Sequence, residues 1–244
     1  MSELLVLRRP RPPAIIPPLL SFAAGFIDSF TVLALFGLFV AQVTGSFVLA
    51  AAAMVTNEQG ALTKLLAIPV FLLAAVATTI LAVMLERRGR AALAWVLGLE
   101  CAVLTGFLLT ALLGSPLANP NAASVTAASL LGLFAMGTQS ATVRLLMKDV
   151  ASTNVMTTNT TLLAINVAEI LLSWIERCRA GPSGSSTLGY AQARREVAML
   201  LPLGLSFLGG TVLGAIAYIT VGLPSVLLAI LPVGILALWY MRRS

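Results

Sequence analysis

Two polar clusters interrupt otherwise apolar stretches of the chain, and both are built from residue types that start helices. One cluster contains Thr44, Gly45 and Ser46, and the other contains Thr157, Thr158 and Asn159. Hydroxyl and amide side chains cap free N–H groups, and glycine lets the backbone turn. The start of a helix is the positive end of its dipole, which attracts anions and polar solutes. The alternative is that these side chains only bond to the backbone or to neighbouring helices.

Two carboxylates, Asp28 and Glu100, lie near the middle of long apolar stretches. An ionised carboxylate in a membrane is expensive, so such a residue faces the interior of a helix bundle, pairs, or stays protonated. We therefore expect Asp28 and Glu100 to couple transport to protons. The alternative for each is a protonated or hydrogen-bonded packing residue.

A third polar group lies in one apolar stretch and contains Gln139, Ser140 and Arg144. Arg144 follows Gln139 and Ser140 by about one helical turn, which allows it to face the start of a short helix. It could equally be an anchor that extends to the membrane surface.

Composition excludes several classes of function. Of 244 residues, 59% are hydrophobic and 10% charged, and the mean hydropathy is +1.00, which indicates a membrane protein. Histidine is absent, which excludes zinc–histidine sites, histidine-dependent triads and histidine proton relays. The net charge of +6 comes from short basic clusters between apolar runs, so it predicts membrane topology and no nucleic-acid partner. We expect no metal, no cofactor and no disulfide, and do not expect an enzyme.

Six stretches are long enough to cross a bilayer, which takes about 20 apolar residues. They are 15–40, 61–85, 91–113, 122–147, 197–220 and 223–241, while 41–56 and 151–173 are apolar only after a polar start. With six spans and a cytoplasmic N-terminus carrying Arg8, Arg9 and Arg11, only Lys64 of the 15 basic residues lies outside. Eight spans would divide them ten to five. The sequence therefore predicts an all-α integral membrane fold of six transmembrane helices plus two re-entrant half-helix segments.

The two halves of the chain resemble each other. Residues 24–29 align with 136–141, and 43–49 align with 156–162. Once a flexible cytoplasmic loop at 176–196 is allowed as an insertion, Pro69 of the next span also aligns with Pro202. Each half crosses the membrane three times, so the second half begins on the opposite side. We therefore expect one membrane domain over 1–244, an inverted 3+3 repeat whose halves cover about 15–114 and 122–241. Many transporters bind substrate between such repeats, near the bilayer midplane.

Small residues recur at every fourth position of the fifth predicted span, at Ser206, Gly210 and Gly214. This spacing lets two helices approach closely. We expect the stripe to pack within one chain, with a homodimer seam as the alternative.

Several of these motifs resemble the YoaK-like family of bacterial inner-membrane proteins. They are 24–28 (AGFID), 37–40 (GLFV), 44–46 (TGS), 137–141 (GTQSA), Arg144 and 155–159 (VMTTN). The resemblance implies a bacterial inner-membrane location and about six spans, and the family has no established substrate. Ser46 and Ser140 stand where that family commonly has Asn.

We predict a transporter or channel for a small molecule or ion, with both termini cytoplasmic. The substrate site would be lined by residues from both halves: Asp28, Thr44, Gly45, Ser46, Gln139, Ser140, Arg144, Thr157, Thr158 and Asn159. One alternative is a non-transporting scaffold, which predicts a dry, closed interface between the halves. The other is a membrane-embedded lipid enzyme, for which the sequence lacks histidine, a carboxylate cluster and a phosphate-binding glycine loop.

Overall fold

The regular elements are helical throughout the part of the chain that the computed structural model describes, which is residues 12–56, 59–147, 149–180 and 187–243. The helices are α1 (Ile16–Ala34), α2 (Val43–Thr56), α3 (Ala61–Arg87), α4 (Ala92–Leu113), α5 (Ala123–Leu146), α6 (Met156–Ala180), α7 (Thr187–Val221) and α8 (Leu227–Met241). A single 3₁₀ turn, Leu223–Val226, leads into α8.

Six of the helical segments are long and apolar enough to cross a membrane, so the chain is a membrane protein. They lie in α1, α3, α4, α6, α7 and the 3₁₀ turn with α8. The outward faces of these helices carry large apolar side chains, and Leu72, Leu73 and Val76 of α3 are 55–60% exposed. Such faces match a surrounding of lipid rather than water.

The number of candidate spans agrees with the sequence prediction, but one of the six helices is a different one. The predicted span 122–147 is helical as α5, yet it is not among the six, whereas α6 is. Hydroxyl, amide and guanidinium groups in the second half of α5 lower its hydropathy, and most of its length is buried against other helices. The apolar second half of α6, in contrast, is largely exposed.

The core is organised around α1 and α5. Helix α1 packs against α7 and α8, and α5 packs against α3 and α4, while α4 and α8 join the two groups. Two helices lie at the periphery: among the described elements, α2 contacts only α3, and α6 contacts only α7. The starts of these two peripheral helices are therefore free to border a space.

Glycines allow α1 and α7 to approach to backbone contact. A Cβ atom on Gly25 would collide with the carbonyl of Phe207, and one on Gly210 would collide with that of Phe22. Gly214 faces the carbonyl of Phe26 in the same way. The small-residue stripe of α7 therefore packs within the chain, as expected, and its glycines are not available as a homodimer seam.

Three predicted boundaries move. Helix α1 ends at Ala34 rather than near residue 40, because Phe36 and Gly37 take positive φ angles of 54° and 80° that interrupt a helix. Helix α6 continues to Ala180, and α7 begins at Thr187, so helix replaces much of the predicted loop 176–196. Good helix formers at 191–196 explain the early start of α7. The loop centre 181–186, the N-terminal arginines Arg8, Arg9 and Arg11, and Lys148 lie outside the described residues.

Candidate functional site

A cavity of about 520 Å³ lies between the starts of α2 and α6. The chain entering α2 contributes Ala41 and Gln42, and the chain entering α6 contributes Ala151, Ser152, Asn154 and Val155. The first turns of the two helices contribute Val43 and Thr44 from α2 and Met156, Thr157, Thr158 and Asn159 from α6, with Leu162 one turn further on. Both polar clusters noted in the sequence thus border one space.

Helix α5 forms a second wall of the cavity. Ser140 and Arg144 both line it, as their spacing of one turn requires, and Phe71 of α3 lies beside them. The side chain of Arg144 is exposed, and no ion pair or hydrogen bond joins it to another described residue. A positively charged group that has no partner among the described residues therefore borders the cavity.

A buried hydrogen-bond network holds the chain that precedes α6. The amide nitrogen of Gln139 donates to Oγ1 of Thr153 at 3.1 Å and to Oδ1 of Asn154 at 3.2 Å. It also lies 2.9 Å from the backbone carbonyl of Leu20 in α1. Asn154 in turn donates to the hydroxyl of Ser140 at 2.8 Å. Gln139 is fully buried and does not line the cavity, so its contribution is to fix the groups that do.

One side chain in the first turn of each peripheral helix bonds back to the chain before it. Ser46 donates to the carbonyl of Phe39 at 2.6 Å, and Asn159 donates to the carbonyl of Ser152 at 2.6 Å. Ser46 is buried and lies behind the cavity wall, whereas Asn159 reaches the cavity. Gly45 also lies behind the wall, packed against the ring of Phe39. These contacts set where each helix begins.

Asp28 fastens the chain that precedes α2. Its Oδ1 atom accepts hydrogen bonds from the backbone N–H groups of Val40 and Ala41, both at 2.8 Å. The side chain is 3% exposed, and Oδ2 has no hydrogen-bond partner among the described residues. Asp28 lines a separate pocket of about 280 Å³ between α1 and α7, and Gln42 is a wall of both spaces. Asp28 therefore lies behind the cavity.

Glu100 lies apart from this site. It is fully buried in α4, and neither carboxylate oxygen has a hydrogen-bond partner among the described residues. It does not line the 520 Å³ cavity, and α4 packs against α3, α5 and α8 rather than against α2 or α6. Any link between Glu100 and the cavity must therefore pass through α5 or α3.

The structure divides the predicted site residues into two groups. Thr44, Ser140, Arg144, Thr157, Thr158 and Asn159 line the cavity together, while Asp28, Gly45, Ser46 and Gln139 lie behind its wall. Sequence reasoning missed Gln42, Phe71, Ser152 and Asn154 as lining residues. Three of the four had a signal, because they are polar residues directly before a helix start. Phe71 had none, since it is one aromatic residue in the apolar run of α3.

The described residues contain no group of three or more His, Cys, Asp or Glu side chains that could hold a metal ion. A protein-family profile whose description is "Protein of unknown function (DUF1275)" matches residues 17–239 of the chain. No curated protein and no solved structure matches the sequence.

Proposed function

The chain belongs to the DUF1275 family, and we propose that it is a membrane transporter or channel for a small solute. The observation that carries this proposal is the 520 Å³ cavity, which the polar first turns of α2 and α6 border from two parts of the chain. Inside a membrane, polar groups without partners are tolerated only where they face protein or a wet cavity. A cavity of this size suits a solute rather than a bare ion.

An inverted relation between the halves is part of the proposal, and two sets of contacts support it. Ser46 and Asn159 are each the fourth residue of their helix, and each donates to a carbonyl seven residues earlier. In addition, Gly25 of α1 packs against the backbone of α7, and Gly137 of α5 packs against the backbone of α3 near Phe71. Helices α1, α2 and α3 thus correspond to α5, α6 and α7.

We further propose that α2 and α6 are re-entrant. Helix α2 has 14 residues, which span about 21 Å and fall short of the roughly 30 Å hydrocarbon core. Helix α6 is longer, but its mostly apolar part runs only from Leu162 to Ile175, between threonines and the charged residues Glu176 and Arg179. This part is itself interrupted by Asn166 and Glu169. That part also spans only about 21 Å. A helix that starts near the midplane and leaves on the same side fits both lengths.

The location and orientation are proposed from the sequence. The resemblance to YoaK-like proteins suggests a bacterial inner membrane, and the basic clusters suggest cytoplasmic termini. In this orientation, residues 59 and 60 face outward, away from the cytosol. A homodimer would need a face other than the glycines of α7.

Asp28 is the proposed proton-coupling residue, with Glu100 as a second candidate. Protonation of Asp28 would remove a negative charge from the group that holds Val40 and Ala41, next to the start of α2. Gln42, which follows directly, borders the cavity. A change at Asp28 therefore has a short path to the solute site.

Access to the cavity from both sides of the membrane separates a transporter from a scaffold without knowledge of the substrate. The experiment replaces Cys101 and Cys178 by Ala, introduces Thr158→Cys, and applies a membrane-impermeant methanethiosulfonate to inside-out and right-side-out vesicles. A transporter or channel should be labelled from both sides. Ile165→Cys, on the exposed face of α6, is the control and should stay unlabelled, because a thiol in lipid remains protonated. Labelling of Thr158→Cys from one side only, or from neither, would support a scaffold.

The proton-coupling step is tested once a thermal-shift screen of metabolites and ions has found a ligand. Reconstituted Asp28→Asn protein should lose uptake driven by a proton gradient but keep exchange of the ligand without a gradient. Asn keeps the oxygen that accepts both N–H bonds, so the loop before α2 stays in place. Uptake with unchanged pH dependence would remove Asp28 from the mechanism, and Glu100→Gln would then be examined in the same assay.

A further inference from the structure

The charged side chain that lines the cavity is positive. Among the described residues that line it, Arg144 is the one ionisable side chain, and none is acidic. The other polar groups are hydroxyls and amides, which adapt to either sign of charge. Asp28, which holds the chain before α2, lines the separate 280 Å³ pocket and not this cavity. The cavity therefore carries a positive charge without a counter-charge from the described residues on its walls.

Backbone dipoles add to this charge. Helices α2 and α6 both begin at the cavity, and each N-terminus resembles about half a positive unit charge. The C-terminal end of α5, where Arg144 lies, opposes this with about half a negative unit charge. The sum of these dipoles and the guanidinium remains positive, at about one and a half units. Such an excess of positive charge favours an anion over a cation.

The rest of the cavity is apolar. Phe71, Val155, Met156 and Leu162 line it, together with Val43 and two alanines. An inorganic ion alone would occupy a small part of 520 Å³ and leave these walls without contact. A ligand that carries an apolar body would fill the space and remove those walls from water.

We propose that the site takes a small organic anion, whose oxyanion group binds Arg144 and whose apolar body packs against Phe71 and Leu162. A guanidinium binds a carboxylate or a phosphate through two parallel hydrogen bonds, which a lysine does not reproduce. The hydroxyls of Thr44, Thr157 and Thr158 are additional donors on the same walls. This inference rests on the proposed function, since it names the substrate class of the same cavity.

The probes for this inference are three compounds of one size: benzoate, benzamide and benzylammonium. Binding to the purified full-length protein is measured by calorimetry and by the shift in its melting temperature. Benzoate should bind at least about tenfold more tightly than either of the others, since only benzoate offers Arg144 a negative charge and two acceptor oxygens for paired hydrogen bonds. Equal binding of the three compounds, or preference for benzylammonium, would overturn the assignment.

Variants locate the binding site. Arg144→Gln should weaken benzoate binding by about tenfold or more and weaken benzamide binding much less, and Arg144→Lys should recover only part of the loss of benzoate affinity. Arg194→Gln is the matched control, because it removes one positive charge from an exposed position of α7 outside the cavity. The melting temperature of each variant without ligand shows that it is folded. Unchanged benzoate affinity in folded Arg144→Gln protein would also overturn the assignment.

An oxyanion with an apolar body describes both a free organic acid and the head of an anionic lipid. The binding assay is therefore repeated in nanodiscs of phosphatidylcholine, with and without phosphatidylglycerol. Competition by phosphatidylglycerol would identify a lipid as the source of the anion, and equal benzoate affinity in both nanodiscs would identify a free acid. Both results agree with the proposed chemistry.

Failure of this inference differs from failure of the proposed function. Thr158→Cys labelled from both sides, with no preference for benzoate, would leave a transporter with a different substrate class. Selective benzoate binding with labelling from one side only would leave an anion-binding protein that does not transport.

Discussion

Replacing Asp28 with Asn and with Ala separates two roles of one side chain. Its Oδ1 atom is the hydrogen-bond acceptor for the N–H groups of Val40 and Ala41, which are at most 4% exposed. Ala removes this acceptor and leaves two buried donors without a partner, each at a cost of about 1–3 kcal/mol. We therefore expect Asp28→Ala to lower the free energy of unfolding by about 2–6 kcal/mol.

Asn should behave differently because it keeps the carbonyl oxygen. Its amide nitrogen replaces Oδ2, which has no hydrogen-bond partner among the described residues, so no existing bond is lost. The N–H groups of that amide gain no acceptor, so the free energy of unfolding of Asp28→Asn should fall by about 1–3 kcal/mol, a smaller loss than that expected for Ala. Ser29→Ala is the neighbouring control: Ser29 donates to the carbonyl of Phe26 in its own helix at 3.2 Å, and its loss should have a small effect.

The assay is unfolding by sodium dodecyl sulfate in mixed micelles, followed by tryptophan fluorescence and by circular dichroism. Three tryptophans provide the fluorescence signal. The reasoning is refuted if Asp28→Ala is as stable as the parent protein, or if Asn is as damaging as Ala. The first result would show that the two bonds do not hold the loop, and the second that the carboxylate charge matters more than the acceptor.

Three further predictions use the same unfolding assay. Ser46→Ala and Asn159→Ala should each lower the free energy of unfolding by about 1 kcal/mol, because each loses one hydrogen bond to a carbonyl. Very different losses for the two variants would contradict equivalent starts of α2 and α6. Gly210→Ala should cost about 1–3 kcal/mol, because its Cβ meets the backbone of α1. Gly209→Ala meets nothing within 4 Å and should be neutral or stabilising by up to about 1 kcal/mol; equal losses at the two glycines would contradict close packing as the cause. Gln139→Leu removes a donor from three buried acceptors and should cost about 1–3 kcal/mol or more, so a stable variant would rule out the network as a support of the loop.

Sequence patterns predict α4 and α5 to within one residue at each end, because their apolar runs end at polar residues or glycine. Helix α4 was predicted at 91–113 and lies at Ala92–Leu113, and α5 was predicted at 122–147 and lies at Ala123–Leu146. The sequence predicts an end of α1 that is too late, since the run through residue 40 stays apolar while the backbone turns at Phe36 and Gly37. Hydropathy reports burial in lipid and carries little information on backbone angles.

The candidate site was predicted by residue type but not by direction. Thr157 and Thr158 of the α6 cluster line the cavity, while Gly45 and Ser46 of the α2 cluster do not. A polar residue at a helix start can face the space in front of the helix or bond to the chain behind it, and composition does not distinguish these. Only the three-dimensional contacts show which direction a side chain takes. The hydrogen bond from Ser46 to the carbonyl of Phe39, for example, holds Ser46 behind the cavity wall.

The difference between the two helix starts bears directly on mechanism. If α2 and α6 correspond as we propose, Asp28 and Ser140 occupy equivalent positions, and both hold the chain that precedes a peripheral helix. On the α6 side, the contact is a hydrogen bond from the amide of Asn154 to the hydroxyl of Ser140. Both groups are neutral, and neither changes its protonation near neutral pH. On the α2 side the fastening is a carboxylate, which can gain a proton. Of these two contacts, only the one at the start of α2 can respond to protons, and Gln42 is the first wall residue that a change at Asp28 would reach.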